Sequence, residues 1–142
     1  MGDLSEHYNK KDFICKCSDC KGEEYRIHLG LVGALEFMGA YFKKIPQVLA
    51  GFWCEEYNEK VNGGRKSSHI QGKAVHFRIE GIPLNEVFKY VEANLPEAKG
   101  IGYYPDDNFI HIDSRKTQRE LWVKEKDKYS PLTEEKRRQY NL

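Results

Sequence analysis

The chain has 142 residues and a mass of 16.6 kDa, the size of one ordinary globular domain. It is 39% hydrophobic, 13% aromatic and 32% charged, too aromatic for a disordered chain and too charged for a membrane protein. Lys plus Arg number 23 against 22 for Asp plus Glu, a formal net charge of +1, so no overall field recruits nucleic acid or an anionic membrane. Function is therefore expected in a local site.

The start, Met1-Gly2-Asp3-Leu4-Ser5-Glu6-His7, lacks the charged-then-apolar profile of a secretory signal, and no stretch reaches ~20 apolar residues. Neither a targeting segment nor a membrane span is expected. The cysteines come next: Cys15, Cys17 and Cys20 lie close together, and Cys54 stands alone. A C-x-C-x2-C knuckle with one distant thiolate can close a tetrahedral zinc site, because the loop supplies three ligands and the fold the fourth. The alternatives are a disulfide from Cys54 to one clustered cysteine, or reduced thiols.

Leu31, Leu35, Met38 and Phe42 recur at i, i+4, i+7 and i+11 and predict a helix whose apolar stripe is core. Lys73 to Ile79 alternates, placing Val75, Phe77 and Ile79 on one face of a strand and Ala74, His76 and Arg78 on the other. Leu84, Val87, Val91 and Leu95 predict a second helix, opened by Pro83 and stopped by Pro96. Asn108 to Asp113 predicts a second strand, with Ile110 and Ile112 opposite Phe109, His111 and Asp113. Turn-rich runs, 62–68 and 100–107, lead into the two strands. Helices and strands in separate blocks point to an α+β fold. Residues 1–123 are expected to form a single domain and the charge-rich 124–142 a C-terminal tail, read as a solvated helix.

His69, His76 and His111 fall just before or within the two strands, and a sheet pairing those strands would gather them. Imidazole is a common zinc ligand, and three protein ligands with an open fourth position is the usual catalytic arrangement. The competing reading is three polar residues, each satisfied by its own neighbours. His7 reads as a chain-end residue and His28 as a helix-start residue. Phe52, Trp53, Tyr57, Tyr103 and Tyr104 either line a pocket or, as aromatics commonly do, fill the core.

Ser67-Ser68-His69-Ile70-Gln71-Gly72-Lys73-Ala74-Val75-His76 resembles the Ser-x-His-x6-Asp signature of the zinc D-alanyl-D-alanine carboxypeptidases, a metallopeptidase group that also includes murein endopeptidases and the hedgehog signalling domain. Gly100 to Pro105, then Phe109-Ile-His-Ile-Asp113, then Arg119-x-x-Trp122 resemble its closing segment. Ala50-Gly-Phe-Trp-Cys54 with Tyr57-Asn58, and Phe13-Ile-Cys-Lys-Cys17, resemble its earlier segments. The likeness thus runs in constant order from about residue 13 to 122. It implies a small antiparallel sheet with flanking helices, a zinc site on that sheet, and a peptidoglycan stem peptide or D-Ala-D-Ala-type substrate. It also suggests a periplasmic, extracellular or phage-associated setting.

Carried over position by position, the resemblance makes His69 the first ligand and His111 the third. His76 stands where the family has an aspartate, and an all-imidazole shell still acidifies water, as in carbonic anhydrase. Trp53 stands where an arginine holds the substrate's terminal carboxylate; Arg78 or Arg65 is the candidate replacement cation, with Trp53 a substrate-facing surface. Asn108 occupies the general-base position, so Asp106 and Asp107 become the candidate bases, and Asp113 is expected to orient a ligand or brace its strand. Two functions follow: a zinc-dependent peptidase of the D,D-carboxypeptidase type, or a non-catalytic metal-binding or cell-wall-binding domain on the same fold.

Overall fold

The fold is seen in a computed structural model, which describes residues 2–15, 17, 20, 26–61 and 68–142. The expected turn at 62–68, Arg65 included, lies outside the described residues except for Ser68. In chain order the elements are α1 (Leu29–Phe42), β1 (Gln47–Ala50), α2 (Glu55–Lys60), β2 (Ala74–Arg78) and α3 (Leu84–Asn94), then β3 (Gly100–Tyr104), β4 (Phe109–Asp113), β5 (Glu120–Glu125), β6 (Lys128–Pro131) and α4 (Glu134–Tyr140). The class is α+β, as expected.

Among the described residues the strands form one sheet of six in the order β1-β2-β4-β3-β5-β6. All neighbours are antiparallel except β3 and β5, so the sheet is mixed where a wholly antiparallel one was expected. The parallel pair arises because the 114–119 connection carries the chain from the end of β4 back to the start of β3, pairing Gly100 with Glu120.

Strand alternation splits the sheet into two faces. Val75, Phe77, Ile101, Tyr103, Ile110, Ile112 and Val123 join Leu31, Leu35, Met38, Val87, Phe88 and Val91 of the helices in one buried core. Burying a large apolar side chain stabilises by about 1.5–3 kcal/mol, so this face fixes the register of the sheet. The other face carries His76, Gly100, Gly102, Tyr104, Phe109, His111, Asp113 and Trp122. The ends of α3 fall where the prolines put them. Pro83 is the N-cap, and Pro96 follows the capping residue Leu95, where the helix cannot continue.

The segment after residue 123 differs from a solvated helix. β5 runs through it to Glu125, β6 pairs back on β5, and only then does α4 begin, capped by Thr133. α4 is anchored by Arg137, which donates to both carboxylate oxygens of Glu92 on α3 at 2.9 and 2.7 Å, and by Tyr140, whose ring meets Tyr103 at 5.2 Å. Its charges look like a solvated face in sequence, yet several are paired across elements.

Candidate metal centre

β2 and β4 pair in a register that sets His76 directly opposite His111, while His69 sits in the turn that feeds β2. The three side chains are buried, and His69 Nε2 lies 3.0 Å from His76 Nε2, which lies 3.1 Å from His111 Nδ1. The candidate ligand atoms all fall within 4.8 Å of one another. Zn–N bonds of about 2.0–2.1 Å in a tetrahedron place nitrogens about 3.3 Å apart, close to what is seen.

Two of these rings are held from outside the cluster. His69 Nδ1 is 2.7 Å from the carbonyl oxygen of Gly51, which can only accept, so Nδ1 carries the hydrogen and Nε2 presents a lone pair. His111 Nε2 donates to Asp113 Oδ2 at 2.7 Å, leaving its Nδ1 as a lone pair. His76 Nε2 faces both lone pairs and can donate to only one. At least one nitrogen pair is therefore lone pair against lone pair, a repulsion that a shared cation relieves. Protons are poorly suited to that role. Burial, helped by the neighbouring His111, pushes His69 down to about 3, and burial pushes His76 well below the ordinary histidine range. Converging imidazole nitrogens, two of them on rings held from outside the cluster, are the donor set that a divalent metal needs, so these residues fit the ion.

Asp113 is wholly buried and accepts from His111, from Arg115 Nε and Nη2 at 2.8 Å each, and from the Arg115 backbone N–H at 3.2 Å. Burial works to raise this carboxyl, but the bonds from Arg115 and His111 overcome it and hold it well below the usual carboxylate range. The carboxylate has room because residue 100 is glycine: a Cβ there would lie 2.5 Å from Asp113 Cγ. Gly102 does the same for the Trp122 indole, whose Nε1 would be 2.5 Å from such a Cβ.

Aromatic rings enclose the histidines. Trp53 stacks on His69 at 3.8 Å between centroids, Phe109 stacks on His76 at 4.3 Å, and Trp122 lies 5.0 Å from His111. Trp122 Nε1 donates to the Tyr104 hydroxyl at 3.3 Å. The aromatic run thus divides: Trp53 and Tyr104 face the site, Tyr103 belongs to the main core, and Phe52 and Tyr57 pack with the cysteines.

The other candidates are placed as follows. Arg78 follows His76 by two residues on the same face of β2, and its Nε donates to Gln47 Oε1 at 3.4 Å. Asp106 and Asp107 are exposed in the turn between β3 and β4, where Asp106 accepts from the Lys126 N–H at 2.8 Å. Asn108, at the expected base position, adopts a positive φ of 56° that closes this turn. No disulfide joins Cys15, Cys17, Cys20 and Cys54, and their four sulfurs lie within 4.8 Å of one another. The Cys20 N–H, with bonds to the neighbouring thiols, pulls Cys17 down to about 6 against the opposing effect of burial, whereas burial pushes Cys54 up. Arg115 and the Gly51 carbonyl were not legible as site groups, since neither lies in a residue pattern that names a ligand.

The family model for Peptidase M15 matches residues 6–113. The chain belongs to the Peptidase M15 family. Among curated proteins of known name, it is 36% identical over 77 residues to the peptidoglycan L,D-endopeptidase MepK of Escherichia coli (strain K12), a match covering 51% of this chain and 41% of that protein. It is 48% identical over 50 residues to the probable peptidoglycan L,D-endopeptidase MepK of Haemophilus influenzae, covering 35% of this chain and 26% of that protein. The chain therefore spans less than half the length of these relatives. No solved structure matches it. Membership bears out the family drawn from sequence, while the carboxypeptidase branch within it is not singled out by these M15 relatives.

Proposed function

We propose that this M15 chain is a zinc-dependent peptidoglycan peptidase that cuts within stem peptides or their cross-links. The observation that carries the reading is the convergence of three imidazole nitrogens, the outer two on rings held from behind, inside an aromatic wall. Zinc held by His69, His76 and His111 would supply a Lewis acid for a peptide carbonyl and for water. Gly51 and Asp113 hold the outer rings in their ligating tautomers, and Trp53 and Phe109 cover two of those rings. Asp106 accepts from the Lys126 backbone N–H, which leaves Asp107 as the carboxylate we assign to proton transfer; the Tyr104 hydroxyl, raised chiefly by burial and least by the Asp107 charge, belongs to a ring that borders His76.

Trp53 stands where the resembling carboxypeptidases keep an arginine, and a stacked indole offers no fork for a terminal carboxylate. Arg78 is the cation assigned to a substrate carboxylate elsewhere along the stem. A peptide that continues past the cut suits this wall better than a free C-terminus, in keeping with the names of the relatives. The test is mass spectrometry of a muropeptide mixture incubated with zinc-loaded protein. Chelator-sensitive cleavage within stems or cross-links supports the reading; release of terminal D-alanine alone would return it to the carboxypeptidase branch. Asn108 at the base position and the engagement of Asp106 favour a second reading, a non-catalytic wall-binding domain. No cleavage at high protein concentration, with peptidoglycan sedimentation retained, would select it.

A further inference from the structure

The four cysteines form a second centre, separate from the main core. Cys15, Phe52 and Cys54 are buried together, with Cys17, Cys20 and Tyr57 packed around them. The sulfurs of Cys15 and Cys54 are 3.7 Å apart, those of Cys17 and Cys20 3.5 Å, and those of Cys17 and Cys54 3.4 Å. A tetrahedron of Zn–S bonds of about 2.3 Å has edges of about 3.8 Å, so these spacings suit one shared ion. Disulfide bonding needs about 2.05 Å, and any single pairing would leave two further sulfurs crowded against it. The N–H groups of Cys20 and Tyr57 point at the sulfurs of Cys17 and Cys54, each at 3.5 Å, as suits thiolates; the second also caps α2.

We propose that Cys15, Cys17, Cys20 and Cys54 bind a structural zinc ion, and that this ion aligns the 51–54 segment against which His69 is held. The path is short and continuous. Phe52 N–H donates to the Phe13 carbonyl at 2.7 Å, tying this segment to the loop that carries the other three cysteines. Residue 51 must be glycine at this crossing, because a Cβ would lie 2.8 Å from the Phe13 carbonyl oxygen. Gly51 then accepts from His69 Nδ1, Trp53 N–H donates to the His69 carbonyl at 3.1 Å, and the Trp53 ring stacks on His69. Cys54 is the next residue. Gly51 and Trp53, which orient and anchor one ligand of the first centre, thus flank the residue tied to the cysteine-bearing segment, and the row ends on a ligand of the second.

The first half of the proposal stands independently of the peptidase reading; the alignment of His69 rests on it. Protein refolded under reducing conditions with cobalt(II) is expected to develop the intense near-ultraviolet thiolate-to-cobalt charge-transfer absorption, saturating at one equivalent. The His69→Ala/His111→Ala double variant should keep that absorption and one equivalent of tightly held zinc, while a mercurial thiol reagent should release that equivalent. The Cys17→Ser/Cys20→Ser variant should lose it and, if alignment matters, bind its remaining zinc about 10–100-fold more weakly. Absence of thiolate-to-cobalt absorption in the wild-type chain, or disulfides in its intact mass after zinc-supplemented, reduced purification, would overturn the site. Unchanged affinity at the histidine centre after loss of the thiolate ion would overturn the alignment alone.

Discussion

Replacing Asp113 by asparagine tests whether the centre is held from behind. The carboxylate is wholly buried and accepts four hydrogen bonds, one from His111 and three from Arg115. An amide keeps the shape but offers a single acceptor oxygen, and its NH2 opposes either the His111 N–H or the Arg115 guanidinium. Breaking a buried charge pair costs about 3–5 kcal/mol. Arg115 retains Glu120 at 2.6 Å and is partly exposed, so the lower end applies, roughly 3 kcal/mol. Loss of the group that orients a metal-binding histidine weakens metal affinity about 10–100-fold. Guanidinium unfolding of the metal-free protein reads the first quantity, and zinc titration against a competing chelator reads the second. Stability lost with zinc affinity unchanged within twofold would refute the orienting role and leave Asp113 a strand brace.

Acidifying the metal-free protein should unfold it before its carboxylates titrate. His69 is depressed to about 3 in the fold, so below an unfolded value of about 6.5 the unfolded chain binds the proton and the folded chain does not. Stability should fall by about 1.4 kcal/mol per pH unit for each such histidine between roughly 6.5 and 4.5, and a denaturation midpoint flat across that window would contradict the burial of His69 and His76 as neutral rings. Gly100→Ala places a methyl against the Asp113 carboxylate and should lower both thermal stability and zinc affinity, whereas retained affinity would mean that the carboxylate can move without disturbing His111. Trp53→Ala removes the ring stacked on His69 and should weaken zinc binding several-fold while leaving the thiolate centre loaded, as two-site metal titration would reveal. Removing residues 132–142 uncovers Tyr103 and strands Glu92, so a marked drop in melting temperature is expected; an unchanged melting curve would make α4 a passive appendage.

The strands β2 and β4 were legible because their two faces have different jobs: aliphatic residues pack on the helices, and the intervening positions carry histidine. The prolines at 83 and 96 marked α3 for equally local reasons. β3 was hidden, because Gly100-Ile-Gly-Tyr-Tyr reads as a turn. Its glycines are there to make space for Asp113 and Trp122, a requirement visible only across the sheet. β5 and β6 were obscured by charges that look solvent-bound in sequence; Glu125 in fact meets both Lys136 and Tyr140. Asp113 was expected either to orient a ligand or to brace its strand, and it accepts from both His111 and Arg115. Arg115 was not anticipated, since its partner is decided by the path of the 114–119 connection. The Gly51 carbonyl is a backbone group, and no residue type advertises it.

The direct pairing of His76 with His111 has a consequence for how the chain reaches this fold. Side chains alternate along a strand, so sliding β2 past β4 by one residue would turn His76 toward the helices and bring Val75 or Phe77 out. Of the neighbouring alignments, the observed one brings the two imidazoles together, opposite each other across the two strands. An ion captured while the sheet is still forming would thus select for that alignment. Metal supply during folding would then act as a proofreading step on strand register, quite apart from any chemistry carried out afterwards.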